Sequence, residues 1–185
     1  PLLDRFALLF KQTESSQAAV LGYLSHKTQI MITDKQLPDT CPPDRIAVRV
    51  ASVKDIQIIR ELARISFCAT YMSIISKEQI EYMMQWMYSE ETLRRELAGN
   101  VTFLLLELDG KAVGYVSFGP ESDAACQPES YHLHKIYLLP EVQHLGLGTL
   151  LFRAAEERMR EAGASFFELN VNRHNPALSF YKRMG

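Results

Sequence analysis

The stretch LLPEVQHLGLGTLLFRAAEERM (138–159) carries a strand into a helix through a short polar and glycine-rich turn. Pro140 ends the apolar run, because proline supplies no N–H to a ladder. Gln143-His144-Leu145-Gly146-Leu147-Gly148 then leads directly into an amphipathic helix. Glycines 146 and 148 let the backbone turn sharply and pass close to a ligand. The first N–H groups of a helix have no partner inside it and sit at the positive end of its dipole. Such an end accepts a pyrophosphate. A plain strand-to-helix turn has the same signature, and both readings stay open at this point. The dinucleotide fingerprint is excluded, because it needs a glycine where Leu151 stands. A P-loop is excluded too, because no Gly-Lys-Ser/Thr follows.

Outward from that turn, the elements alternate in type. IAVRVA (46–51) alternates as a strand, and Ser52 with Asp55 forms a capping box ahead of a helix whose face is Ile56, Ile59, Leu62 and Ala63. Ser76 with Gln79 caps a second helix through Tyr82, Met83 and Trp86. A third, roughly 90–98, stops at Gly99, where a left-handed residue is expected. VTFLLLEL (101–108), Asp109-Gly110 and KAVGYVSF (111–118) read as a hairpin. After a loop at 119–129 come a strand at 131–139, a helix near 147–162, a strand at 165–171 and a helix near 175–184. The expected class is mixed α/β.

The first 44 residues stand apart from this domain of 45–185. Leu2, Leu3, Phe6, Leu9 and Phe10, then Val20, Leu21 and Leu24, recur at helical spacing with an interruption from Thr13 to Ser16, so two short helices or one kinked helix are expected over 1 to about 32. TDKQLPDTCPPD (33–44) reads as a linker. With 185 residues, the chain suits one domain with an appendage, at roughly 150 residues per domain. Twenty basic against 22 acidic residues give a net charge of -2, which argues against a nucleic-acid module. The longest apolar runs, such as Phe103–Leu106, are far below the roughly 20 residues that span a bilayer. PLLDRFALLF carries no basic n-region or cleavage site. Cys41, Cys68 and Cys126 are scattered and odd in number, which is no disulfide framework. A cytoplasmic setting is expected. The sequence opens on Pro1 and not Met, as a fragment or trimmed chain does.

A second stretch, ELNVNRHNPALSFYKRMG (168–185), again turns a strand into a helix. Asn175 is placed to cap it, Pro176 suits its first turn, and Tyr181 lies further in. Taken alone, Tyr181 fits a packed core residue equally well. Gln-x-x-Gly-x-Gly at 143–148, followed by Asn175, Pro176-Ala177, Phe180-Tyr181 and Gly185, resembles the GNAT superfamily of acetyl-CoA-dependent N-acetyltransferases. The alanine follows Asn175 by two, a slight variant of the pattern. The element order over 46–185 is similar to that family as well. SFCATY (66–71) and HKIYLLP (134–140) look most like a bacterial branch that includes polyamine acetyltransferases of the PaiA type.

The resemblance implies a mostly antiparallel twisted sheet with a splayed central parallel pair, here 131–139 and 165–171, flanked by helices. It implies acetyl-CoA as co-substrate, with the pantetheine between those strands against backbone groups of Ile136, Tyr137 and Leu138. Amides of Gln143, His144, Leu145, Gly146, Leu147, Gly148 and Thr149 would hold the pyrophosphate. Asn175 would touch the pantetheine arm, and Tyr181 would protonate the departing thiolate. The implied reaction moves an acetyl group to a primary amine. Such amines have a pKa near 10, so a base or water chain must take a proton at pH 7. The Leu138 N–H is an oxyanion donor candidate. His132 and His134 share one strand face, similar to the His-x-His of arylalkylamine N-acetyltransferases, and are candidate bases; packed structural histidines are the alternative. No metal is expected, because His144, His174 and Cys126 add no ligand spacing to that pair. Asn170 falls where some relatives place a glutamate, and asparagine is no base; Glu168 lies on the same strand.

The acceptor cleft is expected among Tyr71, Met72, Glu78, Glu81, Tyr82 and Trp86, with acidic Glu121, Asp123 and Glu129 favouring a cationic, polyamine-like amine. A protein N-terminus or lysine is the alternative acceptor, and a CoA-binding module without turnover is the alternative class. No nucleic-acid or membrane partner is expected; a homodimer is. The family continues beyond the position of Gly185 with another antiparallel strand. Either the chain is truncated there, or another segment or subunit covers the edge of strand 165–171, with the first 32 residues as the candidate cover.

Overall fold

The structure is a computed structural model that describes residues 25–31, 45–120 and 130–185. Expectations for 1–24, for 33–44 with Cys41, and for the loop residues Glu121, Asp123, Cys126 and Glu129 lie outside the described residues. Six strands form one sheet in the order β1-β6-β5-β4-β3-β2. They are β1 (Ser25–Met31), β2 (Ile46–Val50), β3 (Thr102–Leu108), β4 (Lys111–Pro120), β5 (Ser130–Leu138) and β6 (Phe166–Asn172). The helices are α1 (Ile56–Tyr71), α2 (Lys77–Met87), α3 (Glu90–Ala98), α4 (Leu147–Glu161) and α5 (Leu178–Met184). All neighbouring strands are antiparallel except β5 and β6, which are parallel.

Local chemistry accounts for most boundaries. Both predicted capping boxes form: Asp55 reaches back to the Ser52 N–H at 2.8 Å, and Gln79 to the Ser76 N–H at 3.0 Å. Arg49 holds Asp55 from β2 at 2.8 Å and, with the Ser52 bonds, keeps its carboxyl down at about 2, which fixes the entry to α1. Asp109 and Gly110 both take positive φ, 52° and 72°, as a tight hairpin turn requires. Gly99 does not: its φ is -97°, so α3 ends without the expected left-handed residue. Its N–H bonds the Glu96 carbonyl instead, closing a final tight turn.

The two faces of the sheet carry separate cores. Leu151, Phe152, Ala155 and Met159 of α4 pack with Phe118, Leu133, Phe167 and Leu169. On the other face Ile59, Ala63 and Phe67 of α1 and Leu93 of α3 pack with Phe103, Leu105 and Tyr115. Alternation along β3 divides Leu104 and Leu106 from Phe103 and Leu105 between them.

Two features depart from the linear reading. Ser25–Met31 is a strand and not the tail of a helix; it pairs antiparallel with β6 over its whole length, Ser25 opposite Asn172 and Met31 opposite Phe166. The N-terminal segment therefore covers the β6 edge, as a sheet needs where backbone groups would otherwise stay open. Second, β5 is bulged. Ser117 faces Lys135 and the next residue, Phe118, faces Leu133, so His134 has no partner of its own on β4.

Candidate active site

β5 and β6 pair only from Ser130–Phe166 to Leu133–Leu169. Beyond that, β5 stays with β4 out to Leu138, and β6 stays with β1 out to Asn172. The parallel pair thus opens into a V starting at His134. Backbone groups alternate sides along a strand. Leu139 donates its N–H to the Val113 carbonyl at 2.9 Å, so Leu138 and Ile136 turn theirs toward the gap. Tyr137, opposite Tyr115, turns its own toward β4, which removes it from the expected set of backbone contacts. The Leu138 carbonyl accepts from Gln143 Nε2 at 3.3 Å, which ties the turn to the strand end.

The mouth of the V is closed by the turn into α4. His144 sits at φ 64° and Gly146 at φ 81°, and Gly146 is the N-cap of the helix. Gln143 donates its N–H to Pro140, and Thr149 and Leu150 donate theirs to Gly146. The ends of the expected amide set, Gln143 and Thr149, are therefore spent within the chain. The N–H groups of Leu147 and Gly148 precede the helical ladder, as an anion cradle requires. Gly146 is needed for its backbone angle. A Cβ on Gly148 would meet only Leu138 and Phe180 atoms at 3.6–3.9 Å, so packing alone does not demand glycine there. His144 and Leu145 are exposed. This αL-started helix facing an unpaired strand edge fits the pyrophosphate and pantetheine of CoA.

Five tyrosines meet between α1, α5 and the sheet. Tyr88 and Tyr115 share a hydrogen bond of 2.7 Å, and Tyr137 bonds Tyr71. Asn175 Nδ2 donates to Tyr71 Oη at 3.3 Å, while Asn175 Oδ1 accepts from the Ala177 N–H at 2.9 Å. Asn175 thus caps the turn before α5, which starts at Leu178 and not near Pro176. It is buried with its amide engaged by the protein, so it clasps α5 to α1. Tyr181 is the exception in the group. It is 8% exposed, and its hydroxyl bonds no described residue. Burial, with the neighbouring Tyr71, pushes its phenol well above the ordinary tyrosine value, so it keeps its proton.

His132 and His134 lie side by side, ring centres 5.0 Å apart. His132 Nε2 is 3.5 Å from Asn170 Nδ2 across the start of the V, and its strand position is opposite Glu168. Enclosure, then charge repulsion from His132 and Lys135, lowers the His134 pKa below the ordinary histidine value; its ring still has an exposed edge, and water there moderates the effect. The imidazole is therefore neutral at pH 7. No group of three His, Cys, Asp or Glu side chains among the described residues could hold a metal.

Of the expected acceptor residues, Tyr71 lies inside the tyrosine group. Met72, Glu78, Glu81 and Trp86 are exposed, and Tyr82 is half-buried. Glu81 lines an outer groove between α1 and α2 with Arg60, Arg64 and Tyr88. Sequence reasoning missed the links from Tyr71 to Asn175 and Tyr137, because residues 104 positions apart give no local signal.

This geometry defines a CoA-dependent acyltransferase fold. The family model of the acetyltransferase (GNAT) family matches residues 66–185. A spermidine N(1)-acetyltransferase of Thermoplasma acidophilum is 31% identical over 146 residues, 76% of this chain and 87% of that protein. An uncharacterized N-acetyltransferase of Lactobacillus delbrueckii subsp. lactis is 31% identical over 138 residues, 72% of this chain and 80% of that one. The crystal structure of the PaiA N-acetyltransferase from Thermoplasma acidophilum in complex with coenzyme A superposes with a TM-score of 0.69 at 30% identity, covering 76% of this chain and 88% of that one. The chain belongs to the GNAT family of acetyltransferases. It is an N-acetyltransferase and acetyl-CoA is its co-substrate. No helix among the described residues is long and apolar enough to cross a membrane.

Proposed function

We propose that the chain acetylates a small polyamine-like primary amine, with 45–185 as the catalytic domain and β1 completing its sheet. The observation that carries the reading is the V between β5 and β6, with Gly146 at its mouth and, among the residues around it, the Tyr181 hydroxyl, which has no partner among the described residues. Ile136 and Leu138 offer backbone groups to the pantetheine, and the amides from His144 to Gly148 face the pyrophosphate. The Leu138 N–H polarises the thioester carbonyl. His134, neutral at pH 7, accepts the proton that the amine sheds on attack, directly or through water. Tyr181 donates a hydrogen bond to the sulfur as the thiolate leaves and then its proton. The relative named as a spermidine N(1)-acetyltransferase supports a cationic acceptor, as do the exposed carboxylates Glu78 and Glu81. The expected homodimer stays part of this proposal.

The test mixes the full chain with acetyl-CoA and separate amines, and follows free thiol. Spermidine and spermine are expected to release thiol well above hydrolysis, and above an arylalkylamine, an aminoglycoside or peptides. Release with peptides alone would replace the small-amine reading with a protein N-terminus or lysine.

The base assignment has its own pH signature. A lowered pKa means His134 binds a proton only well into acid. The acid limb of kcat/KM is then expected below the ordinary histidine value of about 6.5. In His134→Ala that limb should vanish as the rate falls by roughly a hundredfold. A limb that survives the substitution assigns the base elsewhere.

A further inference from the structure

Lys135 is a lysine in the core: its side chain is 5% exposed. Its ammonium bonds both carboxylate oxygens of Glu96 on α3, at 2.9 and 2.8 Å. It also stands 5.8 Å from the centre of the Tyr88 ring and 5.4 Å from that of Phe103. The chemistry described above uses Lys135 only through its charge beside His134, and does not use the pair it forms with Glu96. Buried ion pairs gain little net stability over apolar residues of similar size, because both charges lose water. What such a pair can supply is register, since only one arrangement satisfies both charges.

Its position says which register. Residues two apart on a strand normally share a face. Leu133 packs in the core under α4, yet Lys135 points to the opposite core, toward α3. The bulge at His134 makes that reversal. Slid past Lys135, the bulge would return this ammonium to the face of Leu133, away from Glu96. The bulge also stands where the β5–β6 ladder ends, at Leu133 and Leu169. Where the bulge sits therefore decides where the V opens and which residue occupies its start.

We infer that the Lys135–Glu96 pair is a positioning pair of the active site, which locks the β5 bulge at His134 and thereby sets the opening that receives CoA. The inference rests on the cleft reading given above. It makes neither residue catalytic, since both act through the strand.

Stability and binding separate the idea from simple packing. The double variant Lys135→Met/Glu96→Leu removes both charges and keeps apolar bulk. It is expected to melt close to the parent, because no buried charge is orphaned. Its CoA affinity by calorimetry is expected to fall about tenfold or more, since losing one backbone hydrogen bond to the ligand amounts to about that factor. Glu96→Asp keeps the charges but shortens the tether, and should show a smaller loss of affinity at near-parent stability. A folded double variant that binds CoA as the parent does overturns the inference. If the double variant does not fold, unchanged affinity in Glu96→Asp overturns it equally. Gly146→Val is measured beside them. Parent-like CoA binding in that variant would remove the cleft reading itself, and this inference with it. Weakened binding there, with unchanged binding in the pair variants, would remove the positioning role alone.

Discussion

Gly146→Val is expected to cost about a hundredfold or more in CoA affinity. Two effects act together. Gly146 takes φ 81°, a region that costs an ordinary L-residue about 1–2 kcal/mol and a β-branched one more. The backbone escapes that strain by rotating, which swings the Leu147 and Gly148 N–H groups off the ligand. Hydrogen bonds to charged groups contribute about 1.5–3 kcal/mol each, so losing two amounts to about 3 kcal/mol or more, a factor of roughly a hundred. Gly146→Ala should fall between parent and valine. Gly148→Ala is the contrast. Its Cβ meets only ordinary contacts, so stability should hold, and a loss of CoA affinity there reports the ligand passing close. Calorimetric titration with CoA and a melting curve for each variant check the series. An unchanged Kd for Gly146→Val would mean that the turn into α4 does not hold the pyrophosphate.

Tyr181→Phe is expected to lower kcat by about a hundredfold or more, the usual range for losing a general acid. Acetyl-CoA binding should hardly change, because the ring stays. Stability should hold too: the hydroxyl has no partner among the described residues, so its removal orphans nothing. The environment that raises its pKa also predicts a pH signature. A phenol held above its usual value of about 10 loses its proton only above that, so no alkaline limb from Tyr181 is expected near neutrality. Kinetics of the variant, with KM and kcat separated, check the assignment. Parent-like turnover would show that the thiolate leaves without this residue.

Local signals were legible wherever the cause is local. The capping boxes at Ser52 and Ser76, the Asp109-Gly110 turn and the helix after Gly146 each depend on a few adjacent residues, and each stands where the sequence places it. Gly99 shows the limit of such signals, since a glycine permits a left-handed angle without requiring it. The strand at Ser25–Met31 carried no strand signal of its own, and it exists as a strand by virtue of the β6 edge it covers. Within the site, the turn, the histidine pair and Tyr181 were visible as residue types at recognisable spacing. Asn175 was visible as a cap, but its burial against Tyr71 was not.

Sequence alone determined the element order from Ile46 onward, the starts of α1 to α4 and the glycine turn before α4, because each follows from backbone geometry and capping over a few residues. Only the tertiary structure decided how far β5 and β6 stay together, which way Tyr137 and Lys135 face, and what covers β6. The parting of β5 from β6 and the way Lys135 faces depend on one bulge at His134 and on an ion pair between Lys135 and Glu96, groups separated by 39 positions. Alternation along a strand is predictable until a bulge reverses it, and the partner that holds this bulge in place comes from a distant helix.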